Sequence, residues 1–167
     1  LQQSSEKPLL FCDIDGVLSL FGFRLDECPS GAWHTVEGIA HFLCTPACDH
    51  LQTLSGAYEV VWCTGWEEKA NDHLPHLAGI GPFPYLRLER TAGRGTRAHW
   101  KLDAVERFAG DRPLAWIDDA FNDACHAWAT ERTAPTLLIS TDPALGLGDA
   151  QAQALAAWAA QLTPGAA

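Results

Sequence analysis

Four short apolar runs stand out along the chain, at residues 9–14, 60–63, 114–117 and 136–139, each bounded by turn-forming residues and each short enough to be a buried strand. They read as the central strands of a parallel sheet. Helix-length stretches lie between and after them, at residues 41–54, 66–77, 96–108, 121–130 and 149–162, the last opened by Asp149 as N-cap. Residues 85–88 add a short edge strand. Strand and helix alternating over the whole length predict an α/β fold, a three-layer α/β/α sandwich with right-handed crossovers.

One segment breaks that rhythm. Residues 16–38 carry aromatic and β-forming side chains (Leu18, Leu20, Phe21, Phe23, Trp33, Thr35, Val36) around the turn Cys28-Pro29-Ser30-Gly31, and are expected to form a β-hairpin beside the first strand. No repeat, low-complexity tract or interdomain linker interrupts the chain. A single domain over residues 1–167 follows, with its core over 8–162, the hairpin at 16–38 and frayed termini.

Composition narrows the function classes. No run of 18 or more apolar residues is present, so no membrane span is expected. Residues 1–7 lack the charged-then-apolar build of a secretory signal, and the six cysteines follow no zinc-binding spacing, so a reduced, cytoplasmic compartment is expected. Cys44 and Cys48, one helical turn apart, read as packing residues. A net charge of −10 argues against a protein that grips nucleic acid through its overall field, although a nucleic-acid substrate is not excluded. The charge is uneven: Arg87, Arg90, Arg94, Arg97, Lys101, Arg107 and Arg112 are 7 of the 11 basic residues. That segment reads either as the partner of an anionic ligand or as a solvated helix face.

In an open parallel sheet the ligand site lies beyond the carboxyl ends of the strands, so polar residues that follow the apolar runs are the chemical candidates. These are Asp13 and Asp15 after the first run, Thr64 with Gly65 after the second, and Asp118 with Asp119 after the third, with Lys101 in the intervening helix. Converging these carboxylates is costly, since like charges about 4 Å apart repel by roughly 4 kcal/mol at an effective dielectric near 20. A cation is therefore required, and ligands made only of hard oxygens select Mg²⁺. Lys101 adds a positive charge, and the Thr64 hydroxyl and Gly65 amide suit a phosphate oxygen. The matching chemistry is phosphoryl transfer through an aspartyl-phosphate, because a carboxylate attacks phosphorus without an activating base. Asp13 is then the nucleophile and Asp15 the acid and base. Asp119 holds the metal with the Asp13 side chain and the Asp15 backbone carbonyl.

Taken together, Phe11-Cys12-Asp13-Ile14-Asp15-Gly16-Val17-Leu18, Val60-Val61-Trp62-Cys63-Thr64-Gly65, Lys101 and Ala115-Trp116-Ile117-Asp118-Asp119 resemble, in order, the four motifs of the haloacid dehalogenase-like (HAD) superfamily of hydrolases. The resemblance frames residues 9–139 and implies a Rossmann-like sheet, the roles given above, and a mobile flap formed by the hairpin. Asp15, which dehalogenating members lack, implies a phosphatase. The short gaps from Asp15 to Thr64 and from Thr64 to Lys101 imply a capless member with an open site. Asp123 reads either as a neighbour of the metal ligands or as an ordinary helix residue.

Substrate contacts are expected from Trp33 and His34 on the hairpin, Trp66 after the second motif, and Arg94 and Arg97 before Lys101, with aromatics stacking on a ring and arginines taking a second phosphate. The substrate is a phosphorylated small metabolite, nucleotide or macromolecular ester, and a monomer is the default. Competing expectations are a phosphotransferase of the same family, a phosphoacceptor signalling domain, and a non-catalytic binding domain. Receiver domains place Lys last, whereas Lys101 precedes Asp118, and no member of the Asp13, Asp15, Lys101 and Asp119 set is lost.

Overall fold

A computed structural model describes residues 7–89 and 99–162. Strands β1 (Leu9–Cys12), β5 (Glu59–Trp62), β6 (Leu114–Asp118) and β7 (Thr136–Ser140) form a parallel sheet in the order β5-β1-β6-β7. The two faces follow the period of two that a strand imposes. Leu10, Cys12, Val60, Trp62, Ala115 and Ile117 join one core cluster; Leu9, Phe11, Val61, Leu114 and Trp116 join another.

Helices cover both faces. Helices α1 (Thr45–Leu54), α2 (Lys69–Ala78) and α5 (Asp149–Leu162) pack on the first through Leu51, Leu74 and Leu155, while α3 (Leu102–Ala109) and α4 (Asp123–Glu131) pack on the second through Val105 and Cys125. A parallel four-stranded sheet with helices on its two faces is compatible with a Rossmann-like fold. Among the described residues no helix is long and apolar enough to cross a membrane. All six cysteines are free, and Cys44 and Cys48 are buried in the core, as packing residues are.

The hairpin is larger than expected and turns elsewhere. Strands β2 (Ser19–Leu20), β3 (Gly31–Val36) and β4 (Ile39–Cys44) form a separate antiparallel sheet in the order β2-β4-β3. Val36 pairs with Ile39, so the tight turn is Glu37-Gly38, with φ of 50° and 83°, and not residues 28–31. Positive φ at both central positions is the two-residue turn whose twist matches antiparallel strands. Residues 41–44, expected to open a helix, belong to β4, and α1 begins at Thr45 with Pro46 in its first turn. The second helix begins at Lys69 and not at residue 66, because residues 65–68 form turns. Residues 85–88 make no strand; Tyr85 forms one bridge to Trp62. Asp149 is the first residue of α5 and pairs at 2.8 Å with His50, while the Gly148 amide donates to Gln151.

Candidate active site

Register brings the candidate residues level with one another. Cys12 lies opposite both Trp62 and Ile117, so Asp13, Cys63 and Asp118 emerge side by side at the carboxyl edge of the sheet. Backbone bonds lock that edge: the Asp13 amide donates to Ile117 and the Cys63 amide to Cys12. Beyond Asp13 the chain turns tightly, with the amides of Val17, Leu18 and Ser19 all donating to the Ile14 carbonyl. Gly16 makes the turn at φ +81°, and a Cβ there would stand 2.4 Å from Asp119 Oδ2. Only glycine leaves that room. The Gly16 carbonyl also accepts from the buried Thr141 hydroxyl at 2.8 Å, tying the turn to the end of β7.

Lys101 sits just before α3, and its side chain is buried. Its Nζ lies 2.9 Å from Asp13 Oδ2 and 2.6 Å from Asp118 Oδ2. The other Asp13 oxygen accepts from the Ile14 amide at 2.8 Å, and the other Asp118 oxygen from the Ala120 amide at 3.0 Å. Asp119 completes a trio, since ligand oxygens of Asp13, Asp118 and Asp119 lie within 4.8 Å of one another. Three carboxylates thus face one ammonium.

The titration of these groups carries the mark of that imbalance. Burial pushes the Asp13 carboxyl up to about 7, against the pull of Lys101 and with the help of Asp118. Asp119 is raised by burial and then by Asp118. Burial opposes the Lys101 charge, yet Asp13 and Asp118 hold its ammonium well above the usual lysine value. Another cation would relieve the surplus negative charge, and an all-oxygen donor set fits Mg²⁺. Asp118 was not among the expected ligands. Its place in the trio explains the Asp118-Asp119 pair better than helix capping does, since Asn122 caps α4 by accepting from the Cys125 amide. Asp123 is an exposed residue in the first turn of that helix.

Asp15 has different surroundings. Its side chain is 48% exposed and keeps clear of Lys101, with Oδ2 accepting from Trp66 Nε1 at 3.0 Å and Oδ1 lying 3.4 Å from His41 Nδ1. A cavity of about 310 Å³ is lined by Asp13, Asp15, Gly65, Lys101, Asp118 and Asp119, with Phe21, His99 and Trp100 on its walls. A second, of about 310 Å³, shares Asp15 and Gly65 and is walled by Ile39, His41, Trp66 and Lys69. Thr64 is buried, with its hydroxyl accepting from the Trp66 amide at 3.2 Å.

The expected substrate contacts divide. Trp66 is at the site, but its indole is buried against Asp15. Trp33 and His34 line neither of these cavities; Trp33 is half exposed and packs on Phe23 and Phe42. Arg94 and Arg97 lie outside the described residues, and Arg112 of the same basic segment pairs with Glu59 at 2.7 Å. Sequence reasoning missed His41, Phe21, His99 and Trp100. For His41 the signal was the Glu37-Gly38 dipeptide between β-forming runs, which marks a hairpin and places residues 39–44 on a strand. Comparison of the chain with protein-family models and with curated proteins finds no match.

Proposed function

We propose that the protein is a Mg²⁺-dependent phosphomonoester hydrolase that works through an aspartyl-phosphate on Asp13. The observation that carries this reading is the buried Lys101 ammonium held between Asp13 and Asp118, with Asp119 beside them, at the carboxyl edge of a parallel sheet. The order of the four motifs, which resemble those of the haloacid dehalogenase-like hydrolases, also supports it.

Asp13 attacks phosphorus through a carboxylate oxygen. The bond from phosphorus to the ester oxygen breaks, its electron pair stays on that oxygen, and Asp15 supplies the proton. Water then attacks phosphorus, gives its proton to the Asp15 carboxylate, and the bond to Asp13 breaks, leaving inorganic phosphate and a free Asp13. Lys101 offsets charge on Asp13 and on the phosphoryl group throughout. Asp13, Asp118 and Asp119, with the Asp15 backbone carbonyl, would hold Mg²⁺, which when bound supplies positive charge to the phosphoryl oxygens. Phe21 and Trp100, both half exposed, leave this cavity open to solvent.

Purified protein should release phosphate from p-nitrophenyl phosphate with Mg²⁺, stop in EDTA, and lose at least about a thousandfold on Asp13→Asn. Activity surviving in Asp13→Asn would remove Asp13 from the role of nucleophile.

A further inference from the structure

An acid that serves a leaving group must present its proton in one direction, yet Asp15 is a short side chain on a turn with half its surface in solvent. Two neighbours restrain it. The indole Nε1 of Trp66 donates to Oδ2 at 3.0 Å, and His41 Nδ1 stands 3.4 Å from Oδ1 and 3.1 Å from the buried Ser19 Oγ. The two rings brace each other edge to face, with centroids 4.6 Å apart. They come from different parts of the fold: Trp66 from the turn after β5, His41 from β4 of the hairpin. Asp15 is therefore gripped where the parallel sheet and the hairpin meet.

The chemistry of the two neighbours is unequal: Trp66 can only donate, whereas His41 Nδ1 donates or accepts according to its tautomer. An indole nitrogen donates and never accepts, so the Asp15 oxygen facing it must act as acceptor. In a carboxylic acid the carbonyl oxygen is the good acceptor, so the Trp66 contact fixes Oδ2 in that role and leaves Oδ1 as the oxygen free to carry the proton. That oxygen faces His41, and Asp15 also lines the second cavity, whose walls of Ile39, Trp66 and Lys69 offer space to a leaving group. His41, anchored on Ser19, fixes the rotation of the carboxyl group about its own bond.

We infer that Trp66 and His41 are positioning residues that assign the Asp15 proton to Oδ1 and aim it at the leaving oxygen. The inference rests on the phosphatase reading, with Asp15 as the acid. It makes Trp66, expected as a stacking surface for substrate, a part of the acid's scaffold, and it gives the hairpin a chemical role through His41 besides that of a cover.

A series of aryl phosphates of similar size tests it, running from p-nitrophenyl through phenyl to 4-methoxyphenyl phosphate. Their phenols need protonation to increasing degrees, and kcat/KM reports the step that expels them. With Asp15→Asn as the benchmark, Trp66→Phe and His41→Ala should lower kcat/KM about tenfold or more on 4-methoxyphenyl phosphate and less than about threefold on p-nitrophenyl phosphate. His41→Asn, which returns an N–H near the place of Nδ1, should recover most of the loss. A uniform loss across the series in both the Trp66 and the His41 variants, or no loss in either, overturns the inference. The His41 variants carry the test alone if Trp66→Phe fails to fold. Wild-type protein with no Mg²⁺-dependent turnover of any ester sinks the phosphatase reading and this inference with it, whereas active wild type with a flat variant response sinks the inference alone.

Discussion

Every residue of β1 and β6 is buried, whereas β3 buries only Val36 of its six and β4 runs from an exposed Ile39 to a buried Cys44. The parallel sheet carries the charged groups: Asp13 and Asp118 stand at its edge, in a setting dry enough to raise Asp13, with Lys101 buried against them. The antiparallel sheet carries a ring contact, His41, to the half-exposed Asp15. Charges that must keep fixed positions in a low dielectric stand where packing is complete on both faces. A contact that must accommodate leaving groups of differing shape stands on a sheet whose strands are exposed over much of their length.

The severest test removes the cation from the buried side. Lys101→Met keeps the volume but leaves Asp13 and Asp118 facing each other, so it should cost about 3–5 kcal/mol in urea unfolding and abolish activity. The cost depends on pH with a definite sign. Folded Asp13 has its pKa raised from an ordinary 3.8 to about 7, so between those values the folded state holds a proton that the unfolded chain has released, and stability falls as pH rises through that window. Loss of Lys101 raises Asp13 further, so the variant's deficit should grow as pH climbs past about 7 and level off at its smallest below it. A deficit that does not change with pH would mean that Asp13 is not the group left uncompensated.

The same contrast governs what could be read from sequence. Continuous apolar runs such as residues 9–12 and 114–117 have few alternatives to a buried parallel strand, and the acids that follow them land at the sheet edge by register alone. Thus Asp13, Asp15, Asp119 and Lys101 were legible as one constellation. Residues 39–44 were not, because Ile-Ala-His-Phe-Leu-Cys satisfies a helix pattern as well as a strand, and only the positive-φ turn at Glu37-Gly38 decides between them. His41 was lost to that ambiguity. Asp118 was ambiguous for another reason: the orientation of a side chain at a strand end depends on a partner 17 residues away, Lys101, whose distance no local pattern encodes.

Two glycines sharpen the comparison. Gly16 and Gly38 have nearly the same backbone, φ +81° and +83°, but a Cβ on Gly16 meets Asp119 at 2.4 Å while one on Gly38 meets nothing within 4 Å. Gly38→Ala should therefore cost only the left-handed conformation, about 1–2 kcal/mol, and leave the melting-temperature rise on adding Mg²⁺ intact. Gly16→Ala should cost that and more, and should flatten the Mg²⁺ response by pushing Asp119 from the trio. Equal responses to Mg²⁺ would show that Asp119 is not needed to hold the ion.

The smallest effect is expected at the turn end of the hairpin. Ile39 is 62% exposed beside the turn, paired with a Val36 that is 5% exposed, and it lines the cavity next to Asp15. Ile39→Ala removes little buried surface, so stability should stay within about 0.5 kcal/mol of the parent in urea titrations. Its effect should appear instead in KM for bulky aryl phosphates, with kcat on p-nitrophenyl phosphate unchanged, because the side chain walls the leaving-group space. A stability loss as large as that of a core leucine would mean that the turn end of the hairpin is packed as firmly as the parallel sheet, and the division between a rigid charged site and an adaptable one would fail.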